Sequence, residues 1–447
     1  MRKKRRKRVI LLFVVTFLIT LTVGLSGVVI YHALQNRQTQ DTFSEREIAT
    51  GEGSVTSGDA AGEKAGEDNG AGKSEQADQE MAESDDAVTE DGEMQPEDGS
   101  AESDGLSAEE NGAAETEPLQ EIITDEIGRA TLVFGGDICF HDPYANMGSY
   151  VQRGSDIRNC ISEVLLSEMQ NADVCMVNNE FSYSDRGAPL EGKTYTLRSK
   201  PENVGILHDM GVDIVSVANN HAYDYGPQAF LDTLQTLDDA GVYHVGGGEN
   251  LDKASQPVYF TIENLKIGYV SATQIERTDS PDTKGATENT PGVLRCFSES
   301  ELSHFLDVIQ RAKEECDFLV VFVHWGTENT DAADWAQPYQ AERIAQAGAD
   351  LIVGCHPHCL QGVTQFAGVP VVYSLGNFWF NSKTMDTALL KAVVGKDGLE
   401  SLQIIAARQE NCSTRELTGD ESARVLSYLQ GLSPEVTIGA DGSVIWQ

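Results

Sequence analysis

Residues 213–226, DIVSVANNHAYDYG, decide the fold: a β-branched run from Asp213 to Val217 leads straight into amides, an imidazole and an acid at Asn219, Asn220, His221 and Asp224. A short run of this kind, bounded by polar residues, predicts a buried strand. The same pattern recurs on both sides. Thr131 to Phe134 leads into Gly136-Asp137, and Val174 to Val177 into Asn178-Asn179-Glu180. Asp317 to Val323 leads into His324-Trp325-Gly326 with Glu328, and Asp350 to Val353 into Gly354-Cys355-His356-Pro357-His358. Val369 to Tyr373 is a sixth run. Ligands of open α/β sheets gather beyond the carboxyl ends of the strands, so five separate clusters predict one site in space.

Helical spacing lies between the runs, at Ile157, Ile161, Val164, Leu165 and at Phe230, Leu231, Leu234, Leu237. Ser199 before Glu202 and Ser298 before Glu301 have capping-box spacing, while Gly211 and Gly241 are placed to stop helices. Val258 to Ile262 and Lys266 to Ala272, joined at Glu263 and Asn264, predict a hairpin. Thr387 to Val394 and Ser401 to Ala407 read as closing strands. The expectation is an α/β domain with a mixed sheet over residues 128–410, followed by an extension, 411–447, with a short helix from Glu421 to Leu432.

Each candidate residue has an ordinary explanation when taken alone. Asp137 suits a helix cap, Asn220 a turn, and a lone histidine at a strand end is usually a hydrogen-bonded surface residue. Convergence of all five clusters on one sheet edge is what points to a metal or catalytic site.

The N-terminal part has another character. Residues 1–8, MRKKRRKR, hold seven Lys or Arg, and residues 9–34 follow without a charge, longer than the ~20 helical residues needed to cross a membrane. This predicts a cytoplasmic basic tail and a retained signal-anchor, because a cleaved signal has an apolar stretch of only ~7–15 residues. The positive-inside rule then puts everything from Gln35 outside the cell membrane. Between Asp41 and Gln120, 25 acidic residues face three basic ones among Gly, Ala and Ser. Such a stretch cannot bury enough apolar surface to fold, so residues 35–127 are expected to form a disordered acidic spacer.

Of the net charge of −39, about −25 remains on residues 121–447, which argues against a nucleic-acid partner. Eight cysteines show neither a CxxC nor a disulfide-rich density. Most read as small buried residues, and the zinc reading of Cys355 and Cys359 lacks a second cysteine pair.

In order along the chain, GDICF from Gly136, VNNE from Val177, ANNHAYDYG from Ala218, HWGTE from His324, GCHPHCLQG from Gly354 and YSLGNF from Tyr373 resemble the motifs of the bacterial capsule-synthesis family named for CapA and the poly-γ-glutamate protein PgsA. That family is similar to the calcineurin-like metallophosphoesterases. The resemblance implies a four-layer α-β-β-α sandwich and a dinuclear centre. Asp137 and His358 would hold one ion, Asn220, His324 and His356 the other, and Glu180 would bridge them. His221 would be the general acid, oriented by Asp224. Carboxylate, amide and imidazole donors suit one or two Mn, Fe or Zn ions better than Mg. This chain departs from the wider superfamily in two places, since Ile138 and Cys139 follow Asp137 where Asp-x-His is usual and Glu180 stands for Asp, and from the capsule-synthesis family in one, where Asn179 replaces the apolar residue of Asn-Leu-Glu.

The implied function is a metal-dependent, phosphoesterase-like hydrolase serving the synthesis or export of an anionic cell-surface polymer such as poly-γ-glutamate. The alternative is a non-catalytic membrane subunit of a polymer-synthesis complex that uses the same fold for binding. The intact ANNH motif favours catalysis, and the missing Asp-x-His histidine favours the subunit.

Overall fold

The computed structural model describes residues 128–276 and 283–446; the expected basic tail, signal-anchor and acidic spacer lie outside the described residues. Among the described residues no helix is long and apolar enough to cross a membrane.

Four strands run parallel in the first half of one sheet: β1 (Ala130–Ile138), β2 (Val174–Asn179), β3 (Ile214–Ser216) and β4 (Tyr243–Val245). The chain then builds a second sheet from β5 (Val258–Ile262), β6 (Leu265–Thr273), β7 (Phe318–His324), β8 (Leu351–Cys355), β9 (Val363–Phe366) and β10 (Val369–Val372). Its order is β9-β10-β8-β7-β6-β5, with antiparallel strands at the two edges and parallel strands between them. After β10 the chain returns to the first sheet. There β11 (Asn377–Trp379) pairs parallel with the end of β1, and β12 (Met385–Gly395), β13 (Gly398–Glu410) and β14 (Ser413–Glu416) extend the sheet antiparallel. The expected α/β class with mixed pairing is present.

Side-chain alternation along the strands explains the packing, because neighbours point to opposite faces. Leu132, Phe134 and Met176 of the first sheet meet Tyr269, Val320 and Phe322 of the second in an apolar core between the sheets. Val133, Val177 and Val215 point the other way, onto helices carrying Leu165, Phe230 and Leu237. The outer face of the second sheet does likewise, with Val321 and Val323 packed near Phe305 and Ile344. The C-terminal helix Gly419–Leu432 adds Val425, Leu426 and Leu429 to the core between the sheets.

Most local signals act as expected. Ser298 and Glu301 form a reciprocal capping box, Gly211 and Gly241 end helices in the left-handed conformation, and Glu263-Asn264 turns the hairpin at φ 46° and 67°. Two signals fail. Ser199 belongs to a short strand, so no capping box forms with Glu202; its hydroxyl accepts from Asn203 Nδ2 at 2.9 Å instead. The helix expected through Ile157 to Leu165 is broken, because Thr414 pairs with the backbone of Cys160 and Ser162 at 2.8 and 2.9 Å. A 3₁₀ turn covers Ile157–Asn159, and the α-helix starts only at Glu163.

One close crossing sets up the site. A Cβ on Gly136 would lie 1.8 Å from the Gly376 carbonyl oxygen, and Gly376 itself sits at φ 69°. Only glycine fits both requirements. The contact lets the Asp137 amide donate to that carbonyl at 3.0 Å and brings Asp137 opposite Asn377.

Candidate metal centre

The five predicted clusters meet. The ends of β1 and β2 bring Asp137, Asn178 and Glu180 from the first sheet, and the loop after β3 brings Asn219 to Asp224. From the second sheet, β7 ends in His324 and β8 in Cys355, followed by His356 and His358. Asp137, Glu180, Asp224 and His324 are wholly buried. His356 and His358 take φ values of 95° and 58°, a conformation that costs a non-glycine residue on the order of 1–3 kcal/mol. The first of these turns lets the His356 amide donate to Asp137 Oδ2 at 3.2 Å.

Two sets of possible ligand atoms stand out, Asp137–Glu180–His358 and Glu180–His324–His356, each with its atoms within 4.8 Å of one another. They share Glu180. Asn220 joins the second set, with its Oδ1 2.8 Å from His324 Nε2. Glu180 Oε1 lies 3.8 Å from His324 Nε2 and 4.0 Å from His358 Nε2. Neither Glu180 Oε1 nor His356 Nδ1 has a hydrogen-bond partner, although both are buried. Unsatisfied buried polar atoms are rare and costly, so a cation fits the donors present.

Burial shapes the charges. It pushes Glu180 up, helped by the neighbouring Asp137 charge, and pushes His324 down to about 3 and His356 well below its usual value. The 3.8 Å approach of His324 to Glu180 is therefore a contact of a neutral ring. Asp137 and His358 behave differently. Burial works against both charges, but His358 holds Asp137 at about 2, and Asp137 with Asn377 raises His358. Their side chains are 3.5 Å apart.

Beside these sets lies a dyad, with His221 Nδ1 2.7 Å from Asp224 Oδ2. His221 and His358 line a cleft of about 490 Å³, walled by Tyr144, Tyr195 and Phe380 and reached by Lys383.

Several members of the five clusters that had been given no individual role also contribute. Asn178 Nδ2 reaches Asp137 Oδ1 at 2.7 Å, Glu180 Oε2 at 3.2 Å and His324 Nδ1 at 3.3 Å. Because side chains two apart on a strand share a face, the pairing of Asn178 with Glu180 was available as a signal. Asn219 bonds Asn178 and the His221 amide. Cys355 Sγ lies 3.2 Å from His324 Nδ1 and joins Asp137 and His324 as a possible ligand. Glu328, close to His356 and His358, forms another such group. His141, the histidine nearest to Asp137 in sequence, has its Nδ1 on the backbone of Arg198. Trp325 and Trp379 are buried, and each indole donates to a carbonyl, so both pack rather than offer platforms. Every described cysteine is free.

Residues 131–382 match the family described as bacterial capsule synthesis protein PGA_cap. The chain belongs to this capsule-synthesis family. Among its relatives is the "PGA biosynthesis protein CapA" of Bacillus subtilis, 32% identical over 65% of this chain and 74% of the relative. The "Capsule biosynthesis protein CapA" of Bacillus anthracis is 29% identical over 51% of this chain and 55% of its own. A "Probable polyglutamine synthesis accessory protein" of Mycobacterium tuberculosis is 27% identical over 46% and 55%. The chain thus spans about half the length of the latter two.

Proposed function

We propose that this capsule-synthesis family member is a membrane-anchored, extracytoplasmic, metal-dependent hydrolase serving the synthesis or export of an anionic cell-surface polymer such as poly-γ-glutamate. The observation that carries the proposal is the pair of ligand sets sharing Glu180 beside the His221–Asp224 dyad. Asp137 and His358 would hold one divalent ion and Asn220, His324 and His356 a second, with Glu180 between them and Mn, Fe or Zn the fitting metals. The arrangement would be the four-layer metallophosphatase-like sandwich. When bound, such ions supply an activated water and stabilise charge on a phosphoryl oxygen.

The residues of the chain do the rest. Asn178 orients both carboxylates through its amide. His221, fixed through Nδ1, would in its imidazolium form give the Nε2 proton to a leaving group in the cleft and be left neutral with its hydrogen on Nδ1. The family names of the relatives support the polymer, and the positive tail before the apolar stretch supports the anchor. One observation favours a non-catalytic subunit instead: no histidine follows Asp137 at the Asp-x-His position, and His141 engages Arg198.

His221→Ala separates the two. For a hydrolase it keeps the metal content and loses about 10²–10⁴-fold in turnover across a phosphoester and γ-glutamyl substrate panel. Asn220→Ala is the companion, and it weakens metal binding under either proposal. Polymer production in cells that stops with Asn220→Ala but persists with His221→Ala would leave the subunit as the better account.

A further inference from the structure

Lys193 is an unusual lysine, with its side chain only 7% exposed. A buried ammonium is expensive unless it is paired and hydrogen-bonded. Its Nζ makes an ion pair with Asp224 Oδ1 at 2.7 Å and donates to the Asn220 carbonyl oxygen. Asp224 is the hub of this corner. Its Oδ2 accepts from the Leu197 amide at 2.7 Å and meets His221 Nδ1 at 2.7 Å, while its carbonyl accepts from the Leu190 amide at 2.8 Å. A carboxylate oxygen only accepts, so His221 carries its hydrogen on Nδ1 and turns Nε2 to the cleft.

We infer that Lys193 is a positioning residue of the site, fixing Asp224 and the Asn220 backbone and thereby holding the His221 Nδ1–H on Asp224 and the ring in one orientation, so that the imidazolium form presents its Nε2–H to the cleft. The inference rests on His221 being the general acid. Lys193 does not itself line the cleft, so it acts through Asp224. The two Asp224 oxygens serve different partners, since Oδ2 holds the ring and the Leu197 amide while Oδ1 holds the ammonium. Without the ammonium, Oδ1 loses its charge partner in a wholly buried place, and the carboxylate is held through Oδ2 alone. The same lysine also tethers the cleft wall, because Tyr195 and Leu197 follow it closely in the chain.

The test uses the full-length chain as wild type and as Lys193→Met, Lys193→Gln and Lys193→Arg. In the first readout, the chain is labelled with ¹⁵N-histidine, and the downfield Nδ1–H proton of His221 is assigned by its loss in His221→Ala. The proton is expected in the wild type and in Lys193→Arg, and absent in Lys193→Met and Lys193→Gln. In the second, turnover of bis(4-nitrophenyl) phosphate with Mn²⁺ falls about 10²-fold in kcat for Lys193→Met with KM little changed, the scale expected for a misplaced catalytic group, and Lys193→Arg recovers part of it. If Lys193→Met does not fold, Lys193→Gln decides. A His221 proton that persists in the folded Met or Gln variant, or a change in KM alone, would overturn the inference. A wild type without turnover would count against the hydrolase, and the spectra would still decide the role of Lys193.

Discussion

The two sheets bring opposite chemistry to the site. The strand ends of the first sheet supply carboxylates and amides, Asp137, Asn178, Glu180 and Asn220, whereas those of the second supply sulfur and imidazole, Cys355, His324, His356 and His358. Burial drives both halves toward neutrality, raising Glu180 and lowering His324 and His356. Where a carboxylate of one half meets an imidazole of the other, at Asp137 and His358, each holds the other's charge against burial. Neither half is satisfied by its own sheet. The orphaned Glu180 Oε1 and His356 Nδ1, one from each side, are what a shared cation would join.

If the halves are complementary through a metal, loading should be the largest effect available. Mn²⁺ at 1,000 times its dissociation constant should stabilise the full-length chain by about 4 kcal/mol relative to chelator, read as a rise in the thermal midpoint. An unchanged midpoint would break the comparison. Asn178 is the next test, since its amide touches both halves. Asn178→Leu should cost about 3 kcal/mol in denaturant unfolding, because it leaves buried oxygens of Asp137 and Glu180 without their donor.

The comparison is sharpened by pH in the metal-free chain. Glu180 and His358 sit above their ordinary values of 4.5 and 6.5, so each binds more protons folded than unfolded, and the stability it adds is lost as pH rises past that value. His324 and His356, lowered by burial, oppose this only below their ordinary 6.5, where the unfolded imidazole takes up a proton. Of these four groups, His358 is therefore the one whose direction alone carries it above 6.5, and there it lowers stability. The stability of the metal-free chain, followed by its midpoint, should fall as pH rises from 6.5, by at most about 1.4 kcal/mol per pH unit for each proton, and His358→Gln should flatten the fall. A rising midpoint would contradict the assignment. The smallest effect lies outside the site. Ser298→Ala should cost about 1 kcal/mol through the lost cap, with metal content unchanged.

What was legible in the sequence was whatever repeats along a strand. Six β-branched runs marked six real strands, and the polar residues ending five of them marked the site, because both signals are local. The failures came from contacts far apart in sequence. Thr414 pairs with Cys160 and Ser162 from the other end of the chain and interrupts a helix whose spacing looked sound. Ser199 has the residue pattern of a cap but is held in a strand beside Ser182–Tyr183. Lys193 sits in a stretch of no period, and nothing near it in sequence announces that it reaches Asp224. Asn178 was legible as a member of its cluster but not in its role, because its reach to His324 is again a contact between distant parts of the chain.

The central claim is that the joined halves hold a transition-metal ion, and metal analysis of the purified full-length chain tests it most directly. The wild type should carry at least one transition-metal ion per chain, and the double variant His324→Ala with His356→Ala, which removes two imidazoles of one ligand set, should lose the ion of that set. Metal content in that double variant unchanged from the wild type would contradict the account and place the site elsewhere.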